Sequence, residues 1–213
     1  METYRLFASL DNENTIALFH GDSKDMEYMV KPLSVDLVFT DPPYPRKYKH
    51  TFQYLADHCP GLMKDGASLV TITPHYLLPE VIKMFDNGKL KYRWILNMNQ
   101  ENGSHPRMAM GIEVCWKPML WYVKRAYPSG RGFLRDAVKI NPVDKKHHEW
   151  EQDLSWCMYY IQRLCPEGGW VLDPYVGSGT TAIACKLLGR NFIGIDNDEN
   201  ALAITLQRLK EMV

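Results

Sequence analysis

Short apolar runs alternate with stretches of helical periodicity along most of this chain, the pattern of a sheet whose strands are joined by packed helices. The runs Thr15 to His20, Val35 to Thr40, Ser68 to Thr73, Arg93 to Met98, Met119 to Val123, Trp170 to Asp173 and Asn191 to Asp196 predict seven strands. Between several of them the period changes from two to between three and four. Asp153 to Cys165 places Leu154, Cys157, Met158, Ile161, Leu164 and Cys165 on one face, and Asp198 to Met212 does so with Leu202, Leu206 and Leu209. Thr180 to Leu188 is apolar nearly all round, as a helix lying on a sheet would be. The stretch from Arg125 to Glu151 follows neither period. It holds Pro128, Gly130, Gly132 and Pro142 and reads as a long loop or small insertion.

With 213 residues the chain is long enough for one domain with a real core. Hydrophobic content of 46% and charged content of 23% are ordinary for a globular protein. No apolar run approaches the roughly 20 residues that span a bilayer, and the first residues do not form a signal peptide. Five cysteines (Cys59, Cys115, Cys157, Cys165, Cys185) are odd in number and lack a CxxC spacing, which argues for reduced thiols in a cytoplasmic protein and against a zinc site. His147 and His148 have no evident third ligand, so no metal is expected. Twenty-five Lys and Arg balance 25 Asp and Glu, which counts mildly against non-specific coating of nucleic acid. The distribution is uneven, however. Lys117, Lys124, Arg125, Arg131, Arg135, Lys139, Lys145 and Lys146 cluster in one region, and Arg46, Lys47 and Lys49 in another.

Two segments carry candidate chemistry. The first is Asp41-Pro42-Pro43-Tyr44, immediately after the apolar run Val35 to Phe39. A strand there delivers an acceptor carboxylate, a stiff turn with an exposed carbonyl and a flat ring to a sheet edge, an arrangement for gripping a planar group that bears an amine. The second is the run from Gly169 to Asp198. A strand ends in Asp173, a turn rich in glycine (Gly177, Ser178, Gly179) opens a helix, and the next strand ends in Asp196. Glycines let a backbone approach a ligand, the helix N-terminus favours negative charge, and the second acid can accept from ribose hydroxyls. Gly177, Gly179 and Ala182 fit a dinucleotide fingerprint, with Asp196 at about the expected ~20 residues. Against that reading, too little chain follows for a βαβαβ half. Asp173 would also repel a pyrophosphate, by roughly a few kcal/mol. A cationic cofactor would suit it.

DPPY followed by DPYVGSGTT and GIDND resembles the β-class amino-methyltransferases of DNA, in which the catalytic motif precedes the cofactor motif, a circular permutation of the usual order. The resemblance extends to Phe19 to Asp22 and to His147 to Trp156, and so spans most of the chain. It implies a single Rossmann-like domain over residues 1–213, with a seven-stranded, mostly parallel sheet on which the two motif strands lie side by side. It implies S-adenosylmethionine as cofactor, DNA as partner and transfer to the exocyclic amine of a flipped base. Adenine N6 is favoured over cytosine N4, because DPPY rather than SPPY stands here.

Residue by residue, the resemblance gives Asp41 and the Pro42 carbonyl the amine hydrogens, and Tyr44 the base, with Pro43 stiffening the turn. Asp173, Gly177 and Gly179 fall to the methionine part of the cofactor, with Thr180 or Thr181 beside its carboxylate, and Tyr175 is a further cofactor-binding residue. Asp196 takes the ribose and Asp22 the adenine. Where relatives carry an HPxxKP-like segment this chain has His148 to Asp153, which puts Trp150 and Gln152 over the methionine end. The short basic insertion 125–148 (Arg125, Arg131, Arg135, Lys145, Lys146), with Arg46, Lys47 and Lys49, is expected to contact DNA and to read a short or loose site. Cys59-Pro60 and Cys165-Pro166 reverse the Pro-Cys order of C5-cytosine chemistry and read as structural. A chain this small suggests an orphan or phage-like member, or one that gains DNA-binding surface as a homodimer. A nuclease partner would leave no mark in the sequence.

Overall fold

The computed structural model describes residues 4–11, 14–99, 105–107, 111–129, 132–139 and 154–212. Eleven strands and six helices follow in the order β1 (Arg5–Asp11), β2 (Thr15–His20), α1 (Met26–Met29), β3 (Val35–Thr40), α2 (His50–Leu62), β4 (Met63–Ile72), α3 (Leu78–Phe85), β5 (Lys91–Asn99), β6 (His105–Arg107), β7 (Ile112–Val114), β8 (Trp116–Val123), β9 (Ala137–Lys139), α4 (Ser155–Leu164), β10 (Trp170–Asp173), α5 (Thr180–Leu187), β11 (Asn191–Asp196) and α6 (Glu199–Glu211). No helix among the described residues is long and apolar enough to cross a membrane.

One sheet runs in the order β1-β2-β11-β10-β3-β4-β8-β5-β9, and β6 and β7 form a separate ribbon. The sheet therefore has nine strands, not the expected seven. All seven predicted strands are present. The additions are the two edges: β1, antiparallel to β2, and the three-residue β9, parallel to β5. Both escape the hydrophobic pattern for the same reason. Edge strands are largely solvated, so β1 shows mixed exposure and β9 buries little. β9 also puts a strand inside the stretch read as a loop.

β2, β11, β10, β3 and β4 are parallel, and β8 lies antiparallel to both β4 and β5. The central parallel strands β3 and β10 are buried on both faces, as VDLVF and WVLD foretell. One face packs Tyr160, Ile161, Ala182, Leu202 and Leu209 of α4, α5 and α6. The other packs Met26, Phe52, Leu55, Cys59, Val81 and Phe85 of α1, α2 and α3. Cys59 and Cys165 are both fully packed. The Cys59 thiol lies against Met26 Sδ at 3.7 Å, and burial pushes its pKa up. Pro60 falls in the last turn of α2, and the Ala56 carbonyl that its missing N–H leaves without a helical donor accepts from Asn87 Nδ2 at 3.0 Å.

β3 and β10 are hydrogen-bonded neighbours, with Leu37 opposite Val171 and Val38 opposite Leu172. From β3 the chain crosses by α2 to β4 on one side; from β10 it crosses by α5 to β11 on the other. Connections that diverge from adjacent parallel strands leave a crevice beyond their carboxyl ends, where α/β folds bind ligands. The order of the two motifs in the chain is immaterial to this geometry.

Candidate active site

The DPPY turn and the glycine loop open into one cavity of about 430 Å³. Asp22, Asp41, Tyr175, Gly177 and Asp196 line it, together with Thr51 and Tyr54 of α2. Among the described residues its lining includes three carboxylates and no Lys or Arg. A second cavity of about 690 Å³ begins at Tyr44 and is walled by Pro74, His75, Tyr76, Trp116 and Lys117. Tyr44 thus stands next to Asp41 in the chain's turn while lining a second, more apolar chamber.

At the end of β3, Pro42 is buried and Pro43 and Tyr44 are half-buried. The Tyr44 hydroxyl donates to Asp41 Oδ2 at 3.1 Å. Tyr76 donates to the Tyr44 carbonyl at 2.6 Å, fixing the turn. By surface area Asp41 is open to the cavity, but protein atoms crowd its other sides. That desolvation raises its pKa to about 6, against the lowering effects of the Tyr44 hydrogen bond and the Lys117 charge.

Asp173, at the end of β10, is 3% exposed. One carboxylate oxygen accepts from Thr40 Oγ1 at 2.6 Å and from the Tyr175 N–H at 3.1 Å. Burial raises its pKa to about 7; hydrogen bonds from Thr40, Thr181 and Tyr175 oppose the rise, and the Asp41 charge adds to it. Thr181 is therefore turned inward to Asp173, while Thr180 opens α5.

The glycine loop is shaped from behind. Gly177 has φ +49° and Gly179 φ +84°, the left-handed region that a side chain disfavours. A Cβ on Gly179 would also stand 2.6 Å from Thr205 Cγ2 of α6. Thr205 Oγ1 donates to the Gly177 carbonyl at 2.9 Å, and the Arg208 guanidinium donates to the Ser178 carbonyl. Asp196 accepts from the Gly177 N–H at 2.9 Å and from the Asp198 N–H at 3.0 Å, so it orders the loop as well as lining the cavity. Ser23 donates to Tyr175 Oη at 2.7 Å, and Tyr175 donates to the Thr51 carbonyl at 3.3 Å, which ties three elements round the end where Asp22 sits.

The expected DNA-contacting cations are placed less uniformly. Arg46 and Lys49 both bind Glu80 of α3, at 2.6 and 3.1 Å. Lys47 lies over the Tyr48 ring. Arg125 follows β8 at the opposite edge of the sheet from the DPPY turn, paired with Asp65 at 3.0 Å, and so does not join the cavity. Arg135 lines a separate cavity with Arg93, Trp94 and Trp121. Arg131, Lys145, Lys146, Trp150 and Gln152 lie outside the described residues. Sequence reasoning missed the second chamber's far wall, His75, Tyr76 and Lys117. Of the tryptophans nearby, Trp116 lines the chamber, Trp121 is buried and Trp94 is exposed.

A family model described as DNA methylase matches residues 134–207, the segment that contains the glycine loop. The type II methyltransferase M2.DpnII of Streptococcus pneumoniae is 23% identical over 93% of this chain and 91% of its own. M2.LlaDCHI of Lactococcus lactis subsp. cremoris is 24% identical over 94% and 91%. Among solved structures, the PvuII DNA methyltransferase, titled cytosine-N4-specific, superposes with a TM-score of 0.76 at 16% identity, over 91% of this chain and 86% of that one. Fold, motif placement and alignment along nine-tenths of its length agree: this chain is a relative of the DNA amino-methyltransferases of the DPPY type.

Proposed function

We propose that the protein transfers a methyl group from S-adenosylmethionine to the N6 amine of adenine in DNA, the base being turned out of its stack. One observation carries the reading. Asp41 and Gly177 come from neighbouring strands onto a single cavity to which the described residues contribute three carboxylates and no Lys or Arg. Such a lining suits a sulfonium and an α-ammonium and would repel a pyrophosphate.

The cofactor supplies an electrophilic methyl. The chain's residues prepare the amine. An aryl amine is a poor nucleophile because its lone pair is spread into the ring. Asp41 and the Pro42 carbonyl accept its two hydrogens, draw the nitrogen toward tetrahedral geometry and localise that pair. Positioning supplies most of the rate, and the Asp41 charge offsets the positive charge that develops on nitrogen. The amine proton becomes acidic only after transfer, so Asp41 need not be a strong base. No cysteine nucleophile is needed. Tyr44 and Trp116 supply flat surfaces at the chamber beside Asp41. DPPY in place of SPPY favours adenine.

Labelled methyl transfer to unmethylated DNA, followed by nucleoside analysis, tests this reading. N6-methyladenine is the expected product. N4-methylcytosine, or label taken up by RNA alone, would replace the adenine or the DNA assignment.

A further inference from the structure

Lys117 enters the site from β8, whose antiparallel direction brings its first residues to the same sheet edge as the DPPY turn. Its Nζ is 3.4 Å from Tyr44 Oη and 5.3 Å from the centre of the Tyr44 ring. The Tyr44 hydroxyl donates onward to Asp41 Oδ2 at 3.1 Å. The three groups form one directed chain of donors, ammonium to phenol to carboxylate, in which each bond polarises the next.

We propose that Lys117 is a positioning residue for the methyl transfer described above. Its ammonium fixes the Tyr44 ring at the mouth of the second chamber and stabilises the carboxylate form of Asp41, with Tyr44 holding Oδ2 and leaving Oδ1 for the amine. The inference rests on the methyl-transfer reading.

The other charged and titratable groups around Asp41 do not substitute for Lys117. The Asp41 charge raises the pKa of Asp173 on β10, and Asp22 and Asp196 across the cavity are carboxylates that bring no positive charge. His50 of α2 lines that cavity too, and Arg46 and Lys49 are engaged by Glu80.

The test follows the Asp41 carboxyl by carbon NMR in the full chain, and methyl-transfer rate against pH, in wild type, Lys117→Met and Lys117→Arg. Removing a cation at this distance raises the Asp41 midpoint by about one pH unit. The acid limb of kcat then moves by the same amount, so kcat on that limb falls about tenfold. KM for the cofactor stays within about twofold if only the transition state loses an interaction. Lys117→Arg restores most of both. Lys117→Gln carries the same test if the Met variant does not fold. An unmoved Asp41 midpoint in the folded variant overturns the inference. A moved midpoint in a protein that transfers no methyl group overturns the activity and leaves the Lys117 placement supported.

Discussion

Asp41 and Asp173 end adjacent strands, and the fold raises the pKa of both, chiefly by desolvation. The sign of the consequence is set. A buried carboxyl whose folded pKa is raised from 3.8 to about 7 makes the native state hold more protons than the unfolded chain between those values. The stability this group contributes is therefore full below about pH 4 and is lost as pH rises through about 7. Melting temperature should decline across that window, and Asp173→Asn should flatten the decline. A wild-type slope that Asp173→Asn leaves unchanged would remove Asp173 as its cause. For Asp41 the expected loss is catalytic. On the proposed mechanism Asp41→Ala removes the acceptor for the amine and should lower kcat by on the order of 10²–10³. Isothermal titration should find cofactor affinity little altered. A near-normal kcat would transfer the amine-accepting role elsewhere.

The glycine loop is an element held by another element. α6 reaches it through Thr205 and Arg208, and the approach is so close that Gly179 has no room for a methyl group. Gly179→Ala combines a left-handed φ with that clash, and should cost about 1–3 kcal/mol in urea denaturation. Thr205→Ala placed on the same chain should recover part of it. If the double variant is no more stable than the single, relief of the clash does not outweigh loss of the Thr205 hydrogen bond to the Gly177 carbonyl. The DPPY turn is held similarly, by Tyr76 on its carbonyl and by Glu80 of α3 on Arg46 and Lys49. Neither clasp is written in the motifs themselves, because the partners lie about 30 residues away in the chain and meet only after packing.

Across the whole molecule, charge balance and pairing limit how much phosphate the protein can grip. Net charge is zero, Arg46 and Lys49 are occupied by Glu80, and Arg125 sits at the far edge with Asp65. DNA affinity should therefore depend only shallowly on salt. Glu80→Gln releases two cations beside the turn. It should steepen the slope of log K against log [salt] by about 1–2, while stability changes little, because ion pairs this exposed are screened by solvent. Fluorescence anisotropy over a salt series checks it. An unchanged slope would show that neither cation reaches phosphate. Because so few unpaired cations stand at the site among the described residues, we propose dimerisation as a way to gain DNA contacts, and sedimentation in the presence of DNA tests it.

The sequence by itself determined the buried parallel strands, the two motifs at their carboxyl ends and the acidic, glycine-shaped character of the cofactor side. These rest on local patterns: a strand buried on both faces must be apolar throughout, and a turn that admits a ligand must be short and flexible. VDLVF before Asp41 and WVLD before the glycine turn carry that information without reference to anything distant. Tertiary structure decided what lies across the sheet. It added the edge strands β1 and β9, which are too solvated to leave a hydrophobic signature. It committed Arg46 and Lys49, which were expected to contact DNA, to Glu80 of α3. It also brought Lys117 against Tyr44, across 73 residues of chain. Strand pairing sets that last contact: β8 runs antiparallel to β4, so its first residues arrive where the parallel strands end. No local pattern encodes a neighbour chosen by sheet order.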